Sequence, residues 1–283
     1  AVEYVALSKG CSTVYSTVKT FASDLEKYQP TLVATVPRLW ESLHARINST
    51  LEKENPKRAK IFRTLVSIST TANRQRRILR DQLPVFEKTF FLNRWLRKLR
   101  AASYLLLLAL PDKLAKSRLQ AVQVKFGGHL RMAISGGGSL PPWLDEWIDA
   151  IGIRIVNAYG MTECAPAIAG RALNCATFST LGLPVEGTEL RIADDQDQAL
   201  AAGLEGEIQM RGDQLFPGYE NNPEENRKAF TADGFFRTGD LGKLTLRGEL
   251  LITGRSKEII VLASGENVDP SRIESTITRL PFV

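Results

Sequence analysis

The chain has 283 residues, of which 43% are hydrophobic and 24% are charged, values that are typical of a globular protein with a buried core. Its three cysteines lie far apart in the sequence, which excludes a metal or disulfide framework and favours a reducing compartment. The first predicted elements are a strand over residues 31–36 and a helix over residues 38–51, because a β-rich run stops at Pro37 and a helical pattern follows.

The next segment, residues 56–125, has a helical pattern almost throughout, with breaks at Pro84 and Pro111. This length of helix exceeds what a simple nucleotide-binding fold requires, so we interpret it as an insertion packed on the sheet. Within it, the apolar run 104–110 is far shorter than the roughly 20 residues needed to cross a bilayer. We expect a buried helix there; an interfacial segment or the wall of a tunnel for an apolar chain is the functional alternative.

The net charge of +6 is concentrated in the same segment. Nine Lys or Arg residues lie between Thr71 and Arg100, against two acidic residues. Such a stretch, beside Phe90 and Trp95, suits anionic lipid or an acidic carrier protein, and a solvated helical face is the alternative interpretation. No nucleic-acid recognition motif accompanies the charge, so we expect no nucleic-acid partner.

A change of periodicity after Gly128 predicts an α/β region followed by a β region. Strands over 130–134 and 153–156, with a helix over 141–150 between them, indicate parallel pairing through a right-handed crossover. Short strands separated by glycine turns then predict a small barrel or distorted sheet between residues 182 and 253. The strands expected there cover residues 189–192, 206–210, 243–246 and 249–252.

The last part of the chain predicts the start of a second domain. A fresh strand is expected over residues 258–262, and a helix is expected to begin at Asp269-Pro270, where Asp269 suits an N-cap position.

The segment Asn157–Glu163 (Asn-Ala-Tyr-Gly-Met-Thr-Glu) brings several chemically useful groups to the end of an apolar strand. The ring of Tyr159 suits stacking on a base, with a place in the core as the alternative, and Gly160 allows a close turn. The hydroxyl of Thr162 suits a phosphate, and Glu163 is a hard oxygen ligand of the kind that Mg²⁺ prefers. The glycines of Ser135–Pro141 also follow a strand and let backbone approach a flat ligand.

Two further motifs follow in order, Gly234–Asp240 and then Gly254–Lys257, which leads to Ser264–Asn267. Asp240 follows a glycine turn, where a carboxylate is able to accept two ribose hydroxyls, and Arg255 suits a ribose or phosphate contact. The histidines and cysteines form no catalytic pair, so we expect catalysis by positioning and electrostatics and no covalent nucleophile.

Together these motifs resemble the adenylate-forming superfamily, which comprises acyl-CoA synthetases, luciferases and the adenylation domains of peptide synthetases. Residues 2–43 resemble the long-chain fatty acid branch, close to the acyl-acyl carrier protein synthetases. The finer match is carried by Leu7–Gly10, Tyr15, Leu25, Tyr28–Pro30 and Val36–Trp40.

The resemblance implies a truncated adenylate-forming fold of the α/β class. It comprises a parallel sheet with flanking helices, a small β-barrel-like subdomain, and the beginning of a small α+β C-terminal domain. The large N-terminal adenylation domain, without its start, would cover residues 1–256, with the helical insertion at about 56–125. The small domain would begin after a hinge at Lys257 and cover residues 257–283.

The resemblance also implies site residues. Those that would bind the nucleotide are Gly136, Gly137, Gly138, Asn157, Ala158, Tyr159, Gly160, Met161, Thr162, Asp240 and Arg255. Gly136–Gly138 and Tyr159 would form the two faces of an adenine slot, and Asn157 would accept from the adenine amino group. The catalytic residues would be Thr162, Glu163 and Lys257, with Glu163 as the metal ligand. Gly265 would line the tunnel of the thiol acceptor, whereas Asn267 stands where some relatives carry an arginine.

The implied function is ATP-dependent and Mg²⁺-dependent ligation of a long-chain fatty acid to a thiol, with acyl-AMP as the intermediate. The acceptor would be coenzyme A or acyl carrier protein. The implied location is cytoplasmic, either free or peripheral at a membrane, or the plastid stroma in a eukaryote.

Two parts of the superfamily pattern do not occur in the 283 residues, the phosphate loop that ends in lysine and the C-terminal catalytic lysine. We therefore expect an internal piece of a longer ligase that binds adenylate poorly and catalyses little alone. A non-catalytic nucleotide- or acyl-binding module derived from such an enzyme is the alternative hypothesis.

Overall fold

A computed structural model describes residues 2–138, 140–171, 177–256, 260–261, 267–268 and 277. The chain divides into two compact units. The first comprises residues 1–83 and 89–158, and the second comprises residues 84–88 and 159–283. The domain boundary predicted at Lys257 stays a prediction, since residues 257–259 lie outside the described part.

Parallel strands form the centre of the first unit. Strand β1 (Leu32–Thr35) pairs with β2 (Met132–Ser135), and β2 pairs with β3 (Ile155–Gly160), both in parallel. The predicted parallel pairing is confirmed, with helix α6 (Pro142–Ala150) between β2 and β3. The fold class is therefore α/β, as expected.

The other helices of the first unit are α1 (Val2–Ser8), α2 (Phe21–Tyr28), α3 (Pro37–Glu54), α4 (Pro56–Leu79) and α5 (Phe91–Lys125). Prolines start several of them, since a residue at the first helical position needs no N–H partner. Pro37 begins α3 directly after β1, and Pro56 begins α4. The side chain of Asn55 caps α4 by accepting from the N–H groups of Lys57 and Arg58 at 3.0 and 3.2 Å.

Trp40 anchors the core of the first unit and ties three elements together. It is fully buried, and its indole N–H donates to the Thr35 hydroxyl at 2.8 Å. That hydroxyl in turn donates to the carbonyl of Ile134 at 2.9 Å. One polar chain thus connects α3, β1 and β2, with the indole nitrogen satisfied inside an apolar core.

The long helical segment packs on α6 through polar contacts. The Ser69 hydroxyl donates to the Ala150 carbonyl at 3.0 Å, and Arg77 forms an ion pair with Asp149. Arg76 pairs with the buried carboxylate of Asp112 on α5. These contacts join α4 to α5 and α6 in addition to apolar packing.

Two expectations for this segment are wrong. Pro111 does not break the helix, because α5 runs through it from Phe91 to Lys125. Because Pro111 has no N–H, the carbonyl of Leu107 lacks its helical partner, yet α5 continues through this position. The run 104–110 is not a buried helix either, because Leu106, Leu107 and Leu110 are 75 to 79% exposed. The break at Pro84 is confirmed, since α4 ends at Leu79 and α5 begins at Phe91.

The second unit is built on an antiparallel sheet of four strands in the order β6 (Thr188–Ala193), β7 (Gly206–Gly212), β8 (Phe236–Leu244) and β9 (Leu250–Arg255). The strand register shifts between β7 and β8 and between β8 and β9. Of the two expected forms, a small barrel and a distorted sheet, the structure therefore has the distorted sheet. Two short helices belong to this unit, a 3-10 helix (Thr162–Cys164) and α7 (Pro223–Ala229). Two further antiparallel strand pairs are β4 (Ala167–Gly170) with β5 (Leu183–Pro184), and β10 (Ile260–Val261) with β11 (Asn267–Val268). Strand β8 begins seven residues before the position predicted for it.

A short segment from the middle of the helical region, residues 84–88, belongs to this second unit. The Leu246 N–H donates to the Val85 carbonyl at 2.8 Å, and the ammonium of Lys243 lies 5.5 Å from the centre of the Phe86 ring. The break between α4 and α5 is therefore a packed connection, which the sequence pattern did not predict.

Candidate functional site

Tyr159 lies in the core of the second unit. Tyr159 is 8% exposed and belongs to a core cluster with Cys164, Ile168, Met210 and Phe236. The phenol hydroxyl nevertheless finds a polar partner, since it donates to Oδ2 of Asp240 at 2.6 Å. Burial, followed by the hydrogen bond to Asp240, raises the pKa of Tyr159, so the phenol stays a neutral donor.

Asp240 accepts hydrogen bonds from two other predicted site residues, Tyr159 and Arg255. Arg255 donates from Nε to Oδ1 of Asp240 at 2.9 Å, and the two residues are opposite each other in the β8–β9 ladder. The Asp240 carboxylate is 9% exposed, whereas the Arg255 side chain is 65% exposed. Arg255 uses only Nε for Asp240, so the terminal nitrogens of its exposed guanidinium are able to bind an anion from solvent.

The backbone before Asp240 is held by the strand beside it. Gly239 has φ +73°, which favours glycine, and its N–H donates to Oε1 of Glu207 at 3.1 Å. The Thr238 hydroxyl donates to the Ile208 carbonyl at 2.7 Å. Asp240 was expected after a glycine turn; it lies inside β8, directly after Gly239 and close to irregularities in the β7–β8 and β8–β9 ladders.

Glu163 is half-buried on the 3-10 helix, next to the exposed Thr162. Tyr219 donates from its hydroxyl to Oε1 of Glu163 at 3.0 Å. The sequence analysis missed Tyr219, because the contact spans 56 residues and no local pattern announces it. The signal available in the sequence was the glycine before it, Gly218, since glycine often marks an unusual backbone conformation. In the structure Gly218 has φ +139°.

Cys164, beside Glu163, is fully buried, and its sulfur lies 3.5 Å from the sulfur of Met210. Burial raises the pKa of this thiol to about 11. The Cys164 thiol is therefore protonated at neutral pH.

In the first unit, the predicted nucleotide residues lie after the carboxyl end of β2 and within β3. Gly136–Gly138 follow β2, Gly137 has φ +74°, and Asn157 is paired with Ser135 in the ladder. The buried oxygens Ser135 Oγ and Asn157 Oδ1 accept or donate no hydrogen bond within the described residues. Polar groups at this edge of a parallel sheet are typical of a ligand site.

The predicted site residues thus fall into separate groups. Tyr159, Asp240 and Arg255 form one hydrogen-bonded group, and Glu163 forms another with Tyr219. Lys257 and Gly265 lie outside the described residues, and of Asn267 only the backbone, in β11, is described.

The family model of AMP-binding enzymes matches residues 1–220. The chain belongs to the AMP-binding enzyme family. The superfamily inferred from the motifs is therefore confirmed. The match includes the two segments predicted to contact the nucleotide, Ser135–Pro141 and Asn157–Glu163.

Relatives of this chain include long-chain fatty acid ligases of both acceptor types. The chain is 31% identical to a chloroplastic long-chain fatty acid–[acyl-carrier-protein] ligase of Arabidopsis thaliana, over 99% of the chain and 40% of that protein. It is 34% identical to a long-chain fatty acid–CoA ligase of Mycobacterium bovis, over 95% of the chain and 39% of that protein. The chain therefore spans about two fifths of the length of these relatives.

Solved structures of the family support the fold. The ATP-bound crystal structure of MatB from Rhodopseudomonas palustris has a TM-score of 0.52 and 33% identity to this chain, over 59% of the chain and 34% of MatB. The adenylate-forming fold is thus confirmed for a part of the chain.

Proposed function

We propose that this chain is part of an ATP-dependent ligase that joins a long-chain fatty acid to a thiol. The fatty acid carboxylate attacks the α-phosphate of ATP, which gives acyl-AMP and releases pyrophosphate. A thiol, from coenzyme A or from the phosphopantetheine arm of acyl carrier protein, then attacks the acyl carbonyl and displaces AMP. Relatives of both acceptor types match nearly the whole chain, and the group around Asp240 is the structural observation that carries the proposal.

Asp240 is suited to bind the ribose of ATP. A carboxylate offers about four lone-pair sites, and the hydrogen bonds from Tyr159 and Arg255 use one on each oxygen. The remaining sites accept the two ribose hydroxyls, while the exposed Arg255 guanidinium is able to donate to a phosphate. Tyr159, held neutral, fixes the carboxylate without removing its charge.

Asn157 and Gly136–Gly138 are proposed to contact the base, as the family resemblance implies. Asn157 Oδ1 is a buried acceptor without a partner in the described part of the chain, so it fits a donor such as the amino group of adenine. Gly136–Gly138 present backbone without side chains, and Ala158, Gly160 and Met161 are proposed to contribute backbone contacts beside Tyr159.

Glu163 and Thr162 are proposed to serve the phosphates. Tyr219 occupies only Oε1 of Glu163, so Oε2 fits a hard cation such as Mg²⁺, which binds to one or two carboxylates together with substrate phosphates. When bound, Mg²⁺ supplies positive charge against the charge that develops on the phosphate oxygens. Thr162 is exposed, and its hydroxyl is proposed to donate to a phosphate.

The second step is proposed to use Lys257 as the hinge and Gly265 as part of the tunnel for the thiol arm. The proposal for these two residues rests on the family resemblance alone. The compartment proposed is the cytoplasm or, by analogy with the chloroplastic relative, the plastid stroma.

A peripheral contact with anionic membranes is proposed for α5. Its exposed side, opposite the buried side that packs on α4, carries leucines at helical spacing, and we call this set the leucine face. It comprises Leu92, Leu96, Leu99, Leu106, Leu107, Leu110 and Leu114. Eight Lys or Arg residues on α5 stand against the single acidic Asp112, which is buried and paired with Arg76.

Cations beside an apolar stripe are the pattern of a helix that lies in a lipid interface. Arg100 and Arg118 flank the leucine face on one side and Lys113 on the other, as the 100° helical rotation places them. The described part of the chain has no helix whose length and apolar character together would allow it to cross a membrane.

Substitution of Asp240 by Asn tests the nucleotide assignment. Weak binding is expected of this chain alone, so ATP at millimolar concentration is followed by saturation-transfer NMR. Asp240→Asn should remove most of the transfer to the ribose protons. Asp233→Asn is the matched control, because Asp233 also binds an arginine, Arg191, but is far more exposed. Equal transfer in wild type and Asp240→Asn would refute the assignment.

A further inference from the structure

Tyr219 connects a distant loop to the proposed metal ligand. Its hydroxyl donates to Oε1 of Glu163 at 3.0 Å, across 56 residues of sequence. Neither residue is in the core, since Tyr219 is 37% exposed and Glu163 is half-buried. A contact between two partly exposed side chains persists only when both are held in place by their surroundings.

The backbone of Tyr219 is held from two sides by one side chain. Asn226, on α7, accepts from the Tyr219 N–H at 2.7 Å and donates to the Tyr219 carbonyl at 2.9 Å. Gly218 has φ +139°, and a Cβ there would lie 2.9 Å from the Asn226 side-chain oxygen. The glycine is thus required for the close approach of the loop to Asn226.

The same loop also holds the backbone of Glu163. The Phe216 N–H donates to the Glu163 carbonyl at 2.8 Å. The Phe216 ring meets the Tyr219 ring edge to face, with centres 4.9 Å apart, and packs against Phe230 and Phe236. Main chain and side chain of Glu163 are therefore fixed by two residues that are themselves anchored in an aromatic cluster.

We propose that Tyr219 is a positioning residue that orients the Glu163 carboxylate toward the metal of bound ATP. This inference rests on the proposed function. The hydroxyl is a neutral donor, so it fixes the rotamer of Glu163 without neutralising the charge that attracts a cation. It occupies Oε1 and leaves Oε2 for the metal, which is the arrangement of an outer partner that orients a ligand.

The test replaces Tyr219 by Phe, which removes the hydroxyl and keeps the ring against Phe216. Binding of the Mn²⁺–ATP complex is measured by water-proton relaxation, with Mn²⁺ as the probe for Mg²⁺. Loss of one hydrogen bond to a charged ligand should weaken this binding about threefold to tenfold. Binding of ATP in EDTA should stay as in the wild type, because the hydroxyl acts through the metal ligand. A change of equal size in EDTA would overturn the proposal.

A double-mutant comparison separates this inference from the proposed function. Glu163→Gln should weaken Mn²⁺–ATP binding, and Tyr219→Phe should add nothing in that background. If Glu163→Gln weakens binding and Tyr219→Phe alone does not, the inference about Tyr219 is wrong and the metal site stands. If Glu163→Gln itself changes nothing, the proposed metal site is wrong, and the inference falls with it.

Discussion

Tyr159 and Asp240 are joined by a hydrogen bond of 2.6 Å that links residues 81 positions apart. The ring of Tyr159 belongs to the core of the second unit, whereas its hydroxyl holds the carboxylate proposed to bind ribose. The two interpretations of Tyr159 in the sequence, core aromatic and nucleotide residue, are therefore compatible. Stability and ligand binding become separable only by changing the hydroxyl and the ring independently.

Tyr159→Phe and Tyr159→Ala should have different effects. Tyr159→Ala should lower the free energy of unfolding by about 3–5 kcal/mol, as for other large buried rings. Tyr159→Phe should lower it by only about 1–2 kcal/mol, through loss of one buried hydrogen bond, and should weaken ATP binding while the fold persists. Urea unfolding and saturation-transfer NMR measure the two effects. Equal destabilisation by both variants would contradict the core position of the ring.

Gly160 is expected to be required by its backbone surroundings. A Cβ at Gly160 would lie 1.9 Å from the carbonyl oxygen of Pro166. The same oxygen accepts a hydrogen bond from the Met161 N–H at 2.8 Å. Gly160→Ala should therefore lower the free energy of unfolding by about 2–4 kcal/mol, since backbone has to move. The matched control is Gly170→Ala, where a Cβ would meet nothing within 4 Å. Urea unfolding should show a change within about 0.5 kcal/mol for the control.

His44 should make stability depend on pH. It lies between the rings of Trp143 and Trp147, with centres 5.0 and 4.9 Å away, and burial lowers its pKa. The unfolded chain, with a His pKa near about 6.5, then binds the proton more readily than the folded chain. The contribution of His44 to stability is fully present above that pH and is lost as the pH falls below it.

Urea unfolding at about pH 7.5 and pH 5.5 tests this dependence. His44→Phe keeps a ring between the tryptophans and should reduce the difference in unfolding free energy between the two pH values. His129→Gln is the control, since His129 is exposed. If both variants keep the full difference, another group causes it.

The sequence predicted what depends on local pattern. Strands β1 to β3, the crossover helix and the order of the motifs all follow from apolar periodicity, prolines and glycines near each other in the chain. Pro111 shows the limit, because a proline disfavours a helix interior by local rules, whereas α5, which packs along α4, continues through it. Tyr219 and the segment 84–88 were missed for another reason, since their partners are far away in sequence.

The leucine face of α5 should bind anionic vesicles. Leu106→Ser/Leu110→Ser removes two of its most exposed side chains, which are 79 and 75% exposed. We expect the wild-type chain to sediment with vesicles of phosphatidylserine and phosphatidylcholine, and the double variant to bind at least about tenfold more weakly, because each buried leucine contributes about 1.5 kcal/mol or more. Leu204→Ser/Leu246→Ser is the matched control, as these leucines are exposed on the second unit.

The lipid charge and the salt concentration decide what α5 recognises. Pure phosphatidylcholine should bind weakly, and binding to the anionic vesicles should fall as salt rises, since the cations beside the leucine face are screened over about 10 Å at 0.1 M salt. If the chain instead ignores both vesicles and binds an acidic acyl carrier protein through Arg97 and Arg100, the membrane proposal is wrong and α5 is an acceptor surface. Binding that is equal for both lipids, and unchanged by Leu106→Ser/Leu110→Ser, would contradict any role of the leucine face.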